Sequence, residues 1–212
     1  MNLQPSFSSR RDFLRACLLA GAALTVPRWV LGTLVSPAPV VAPLLFPDLN
    51  IYPRSTWSAL APRLSLIRPA TGFSRLTIHH AGNIMNTHVQ PEDVVADLNG
   101  ILAAHLQKNY GDIGYHFIVD YAGRIWEGRS LAFEGAHVSG MNKQNMGVML
   151  LGNFEEQQPS ADQIDSLFQL VDSLQRQYAL PHGSIYGHCD LGQSVCPGKH
   201  LYAPFVAELK QS

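Results

Sequence analysis

The chain has 212 residues, 46% of them apolar and 15% charged, with a formal net charge of −1. That balance excludes a disordered polyelectrolyte and gives no reason to expect nucleic acid as a partner, while the length suffices for one well-cored domain with an appendage. Three cysteines, Cys17, Cys189 and Cys196, are too few for a disulfide scaffold.

The chain starts with an address. Ser9-Arg10-Arg11-Asp12-Phe13-Leu14-Arg15 is a twin-arginine pattern, and an Ala- and Gly-rich apolar run follows from Ala16 to Val26. Residues 1–26 therefore read as a signal for export of an already folded protein, to be set aside from fold reasoning. A periplasmic or secreted location is expected, with inner-membrane anchoring if the signal stays uncleaved. Ser36-Pro37-Ala38 is the nearest candidate cleavage site, and Arg15, two positions before Cys17, argues against lipidation. Residues 27–50 hold Pro27, Pro37, Pro39, Pro43 and Pro47 with little charge, the composition of an extended linker. There is no internal repeat and no second membrane span.

From Ile51 to the end, short apolar runs alternate with longer amphipathic ones, which predicts an α/β layer architecture. Leu76 to His80 is strand-like. Pro91 to Tyr110 is helix-like, with Pro91 in the first turn and Val94, Val95, Leu98, Ile101, Leu102 and Leu106 on one stripe. Gly114 to Asp120 and Arg124 to Glu127 read as a hairpin turned at Tyr121-Ala122-Gly123. Met146 to Leu151 is apolar throughout, as in a central strand buried on both faces. Ser160 with Gln163 forms a capping box ahead of Ile164, Leu167, Phe168, Val171, Leu174 and Tyr178 at helical spacing. Ser184 to His188 is a short strand and Leu201 to Lys210 a closing helix. The fold expected is a single α/β domain, a mixed central sheet with helices packed on both faces.

Two histidine-bearing segments lie at predicted strand ends, where loops carry function. Leu76-Thr77-Ile78-His79-His80 ends in adjacent imidazoles, of which side-chain alternation can turn only one toward a given site. Gly187-His188-Cys189-Asp190 is followed by Cys196-Pro197-Gly198 across a turn-prone loop. Two imidazoles and one thiolate suffice for a zinc ion that keeps its fourth position open, the arrangement of catalytic rather than structural sites.

The segments Pro53-Arg54-Ser55-Thr56-Trp57, Ile78-His79-His80-Ala81, Asp112-Ile113-Gly114-Tyr115-His116-Phe117 and Gly123-Arg124-Ile125-Trp126-Glu127-Gly128-Arg129 carry a resemblance, continued by Gly135-Ala136-His137, Asn145-Met146-Gly147-Val148 and the His188 to Cys196 stretch. In that order, across residues 51 to 210, the chain resembles the zinc amidases that include peptidoglycan recognition proteins and amidase-type phage lysozymes. The resemblance implies a zinc amidase domain over residues 51–212, with Zn2+ held by His79, His188 and Cys196 at strand ends. It implies hydrolysis of the amide joining N-acetylmuramic acid to L-alanine in peptidoglycan, with Tyr115 and Ser194 as catalytic groups. Ser194 stands where phage-type members carry lysine and fits the branch with a small hydroxyl residue. His137, His80, Asn142 and Arg129 are the matching candidates for substrate contact, although for Arg129 a structural role, such as an ion pair with Glu127, is preferred. Asp190 is expected to orient an imidazole and Cys189 to act as a small hydrophobe. The implied partner is peptidoglycan or a muropeptide, met by a monomer. Members that bind without cleaving typically lose a ligand, often the cysteine, and this chain keeps all three.

Overall fold

β-Branched and aromatic runs build six strands, β1 (Ile51–Tyr52), β2 (Arg75–His80), β3 (Phe117–Val119), β4 (Ile125–Glu127), β5 (Asn145–Leu150) and β6 (Ile185–Gly187). The computed structural model describes residues 46–83, 85–181 and 183–211. The twin-arginine segment 1–26 and most of the Pro-rich stretch lie outside them. The strands form one sheet in the order β1-β4-β3-β5-β2-β6. Only the β3–β4 pair is antiparallel, so the sheet is mixed as expected.

Alternation along each strand sorts the side chains between two cores. Leu76 and Ile78 of β2, Phe117 and Val119 of β3, and Met146, Val148 and Leu150 of β5 share one cluster with helix α2 (Ala161–Tyr178), through its Leu167, Leu170, Val171 and Leu174. Ile118, Trp126 and Met149 face the other way and meet Val94, Leu98 and Leu102 of helix α1 (Pro91–Gln107). Helices thus cover both faces of the sheet. Every residue of β5 is buried, which explains the apolar run that follows Asn145.

The local signals act as read. Pro91 opens α1, with Glu92 and Asp93 in the first turn where the helix dipole favours acids. The capping box of α2 is formed: Gln163 N–H donates to Ser160 Oγ at 3.0 Å and Ser160 N–H to Gln163 Oε1 at 3.2 Å. The hairpin turn is held by Asp120 Oδ1, which accepts from the N–H groups of Ala122 and Arg124. Among the described residues no helix is long and apolar enough to cross a membrane.

Three expectations need correction. Residues 114–116 precede β3 outside the regular strand, although His116 still bonds Gly147 and Gly128 through its backbone. The predicted closing helix is broken into α4 (Lys199–Leu201), a π-type turn (Tyr202–Val206) and α5 (Ala207–Leu209). Pro204 lies inside the turn and has no N–H to continue an α-helical ladder. Phe46, assigned from sequence to the linker, is buried edge-on against Phe117 at 6.1 Å between ring centroids.

Candidate metal centre

Because Leu76 and Ile78 point toward α2, Thr77 and His79 point the opposite way, and His80 returns to the α2 side. The adjacent imidazoles therefore part. His80 Nδ1 accepts from Phe154 N–H at 3.1 Å, and the ring packs beside Gly82. His80 thus braces the loop that carries Phe154. Its backbone does reach the site, where its N–H donates to Cys196 Sγ at 3.4 Å.

The remaining candidate ligands come from the stretch after β6. His188, expected as the last residue of a strand, is instead the first residue of a short helix, α3 (His188–Leu191), one position beyond the end of β6. Among the described residues Asp190 bonds no imidazole. Its Oδ2 accepts from Gly187 N–H at 2.7 Å, and its Oδ1 accepts from Tyr202 O–H at 2.5 Å and from Lys210 Nζ at 3.0 Å. It pins the turn that carries His188 to the C-terminal segment. Cys189 N–H donates to Cys196 O at 2.8 Å, so Cys189 helps to close the loop through its backbone.

His79, His188 and Cys196 come together with one ligand atom of each within 4.8 Å of the others. His79 Nδ1 lies 3.6 Å from Cys196 Sγ, and the His79 and His188 rings are 4.8 Å apart between centroids. Burial holds the His79 pKa well below its ordinary value, with help from the neighbouring His137 and His188 rings. Burial pushes the metal-free Cys196 thiol up to about 12. Neutral imidazoles and a thiol that a cation would ionise fit a zinc ion, with three protein ligands and a fourth position left for chemistry.

Tyr115 stands beside this cluster, its ring 5.1 Å from that of His79. Burial, then the nearby Cys196, pushes its phenol pKa up, so Tyr115 is an O–H donor and not a base. Ser194 Oγ accepts from Cys196 N–H at 3.1 Å, which shapes the loop and leaves its hydroxyl proton for another acceptor.

The residues matched to substrate contact make the following bonds within the protein. Both ring nitrogens of His137 are engaged, one with His79 at 3.0 Å and one with the carbonyl of Asn145 at 3.2 Å. Asn142 Oδ1 accepts from the N–H groups of His137 and Val138. Arg129 is 2% exposed, and its guanidinium donates to the carbonyls of Tyr110, Asp112, Ile113 and Glu134. It organises the chain leading to Tyr115 and makes no pair with Glu127, whose carboxylate accepts from Arg54 N–H.

A cleft of about 380 Å³ opens beside Tyr115, walled by α1 and the chain after β2. Its wall includes His105, Asp97, Lys108, Asn83 and Asn86, none of them singled out from sequence. His105 Nδ1 accepts from Gly114 N–H at 2.9 Å, so its other nitrogen carries the hydrogen. A histidine three residues after Leu102, on a helix face otherwise apolar, is the signal that marks it.

The profile of the N-acetylmuramoyl-L-alanine amidase family matches residues 70–199, which include the three candidate ligands and Tyr115. The chain belongs to this family. Among relatives of the amidase domain, a peptidoglycan-recognition protein of Drosophila simulans is 30% identical over 153 residues, 72% of this chain and 83% of that protein. The solved structure of peptidoglycan recognition protein LE in complex with tracheal cytotoxin, a monomeric diaminopimelic acid-type peptidoglycan, aligns at 26% identity. Its TM-score is 0.65, over 72% of this chain and 89% of that one. The N-acetylmuramoyl-L-alanine amidase LysC of Clostridium intestinale shares the fold at TM-score 0.61 and 24% identity, over 77% of this chain and 99% of that one.

Proposed function

We propose that the protein is a zinc-dependent amidase that cleaves the bond between N-acetylmuramic acid and L-alanine in peptidoglycan. The observation that carries this reading is the meeting of His79, His188 and Cys196 within 4.8 Å beside the donor Tyr115. His79, His188 and Cys196 would hold a zinc ion, which when bound lowers the pKa of its water to about 7 and polarises an amide carbonyl. Tyr115 donates its O–H where negative charge grows on the carbonyl oxygen. The cleft beside it receives the peptide stem, and Ser194 offers a neutral donor on the opposite loop. Relatives named for recognition support a second reading, a module that binds peptidoglycan without cleaving it. The complete ligand set favours cleavage.

Zinc-loaded protein given peptidoglycan fragments should release stem peptides with a new L-alanine amine, and a chelator should stop the release. Binding without release by protein of full zinc content would overturn the enzymatic reading in favour of the module. We place the substrate outside the cytoplasm on the twin-arginine pattern of residues 9–15. Arg10→Lys with Arg11→Lys should retain the protein in the cytoplasm.

A further inference from the structure

We infer that His137 selects which ring nitrogen of His79 faces the metal, and so is a positioning residue for the centre. The inference rests on the metal reading given above.

A carbonyl oxygen can only accept, so the contact of His137 Nε2 with Asn145 O at 3.2 Å places a hydrogen on Nε2. The neutral ring then presents Nδ1 as a bare acceptor. His79 Nε2 lies 3.0 Å from that atom and must therefore donate, which fixes its hydrogen at Nε2. His79 Nδ1 is left without one, and it is this nitrogen that faces Cys196 Sγ at 3.6 Å. A backbone carbonyl in β5 thereby dictates, through two imidazoles, that a lone pair points at the metal position. Ligating histidines commonly have their other N–H held by an acceptor, and the acceptor here is a second imidazole.

The His137 ring has little freedom to do anything else. A Cβ on Gly135 would fall 2.4 Å from its Cδ2, and one on Gly147 would fall 2.6 Å from the same atom. The two glycines form a slot that the ring fills. Asn142 Oδ1 fixes its backbone at 2.9 Å, and the residue is 9% exposed. Removing the ring leaves the N–H of a buried His79 with no acceptor and frees its hydrogen to move to Nδ1, where it blocks ligation.

Long-range 1H–15N NMR of the unmutated, metal-free protein tests the tautomers directly. The expected spectrum shows His79 and His137 both protonated at Nε2 and bare at Nδ1; a hydrogen on His79 Nδ1 overturns the inference. Chelator competition then measures zinc affinity without reference to activity. His137→Phe fills the slot but cannot accept, and should weaken zinc binding by about 10- to 100-fold. His137→Gln, which restores an acceptor oxygen, should recover most of that loss. A Phe variant that binds zinc as the parent does also overturns the inference, and if that variant does not fold, the spectrum of the parent decides. Normal zinc affinity and the expected tautomers without amide cleavage would defeat the proposed reaction and leave the relay standing.

Discussion

The two faces of one sheet have opposite characters. Toward α2 the strands present Leu76, Ile78, Phe117, Val119, Met146, Val148 and Leu150, with His80 the polar side chain at the end of β2. On the other face the same strands present Thr77, His79, Asn145 and Gly147 beside the apolar Ile118 and Met149, and His116 and His137 join the polar part. The polar groups of that face partner one another: Thr77 Oγ1 donates to Asn145 Oδ1 at 2.8 Å, and Gly147 N–H donates to His116 Nδ1 at 2.9 Å. A period of two therefore lets one strand serve packing with alternate residues and chemistry with the rest. The difference teaches that stability and function are carried by interleaved but separable side chains.

The sharpest way to break the comparison is to remove a ligand from the polar face. Cys196→Ser should leave the fold in place and abolish zinc retention, with peptidoglycan cleavage falling below detection. Cys189→Ser should change neither, since Cys189 contributes its backbone N–H to the loop. Zinc content after dialysis, with cleavage assayed alongside, decides it. The reverse pattern would move the ligand to Cys189 and contradict the geometry in which His80 N–H and His79 Nδ1 both meet Cys196 Sγ.

The apolar face should respond in the opposite sense. Leu170 is fully buried in the cluster beneath α2. Leu170→Ala removes its transfer energy and leaves a cavity, an expected loss of about 2–5 kcal/mol of unfolding free energy. Denaturant melts of the metal-free chain measure that loss. Zinc affinity of the molecules that remain folded should match the parent. A large loss of affinity with little loss of stability would mean that the two faces are coupled through the sheet.

Those elements whose signals are local were legible in the sequence. The α2 capping box, the apolar run of β5 and the first turn of α1 each depend on residues a few positions apart. The meeting of His79, His188 and Cys196 was anticipated through the family resemblance, which chose His79 over His80 where alternation alone left the pair open. What escaped depends on contacts distant in sequence. The structural role of Arg129 was read, but not its partners: Glu127 looked available until the chain brought the carbonyls of residues 110, 112, 113 and 134 around the guanidinium. Asp190 looked like a partner for an imidazole, but the C-terminal Tyr202 and Lys210 reach it first. His105 drew no attention because its importance comes from Gly114 and Tyr115, about ten residues onward and folded back over α1.

The smallest effect sharpens the comparison through pH, since the polar face and the helix beside it hold buried imidazoles whose folded pKa values are depressed. Burial holds His105 and His116 down to about 4 and His137 to about 3, against 6.5 for a free ring. A ring whose folded pKa is depressed is neutral in the native state while the unfolded chain takes up a proton. Its contribution is therefore fully present above about 6.5 and is lost as pH falls from there toward 4. Each such ring steepens the loss by at most about 1.4 kcal/mol per pH unit. Asp112, whose carboxyl is raised by burial, acts with the opposite sign, because its native state holds the proton more tightly. The Tm of the metal-free chain should drop steadily between about pH 6.5 and 4.5. His105→Gln keeps an acceptor for Gly114 N–H but cannot titrate, so it should flatten that slope by up to one proton. A Tm that stays level over this interval would show that the polar face admits water and proton freely, which would set it further apart from the sealed core on the other side of the sheet.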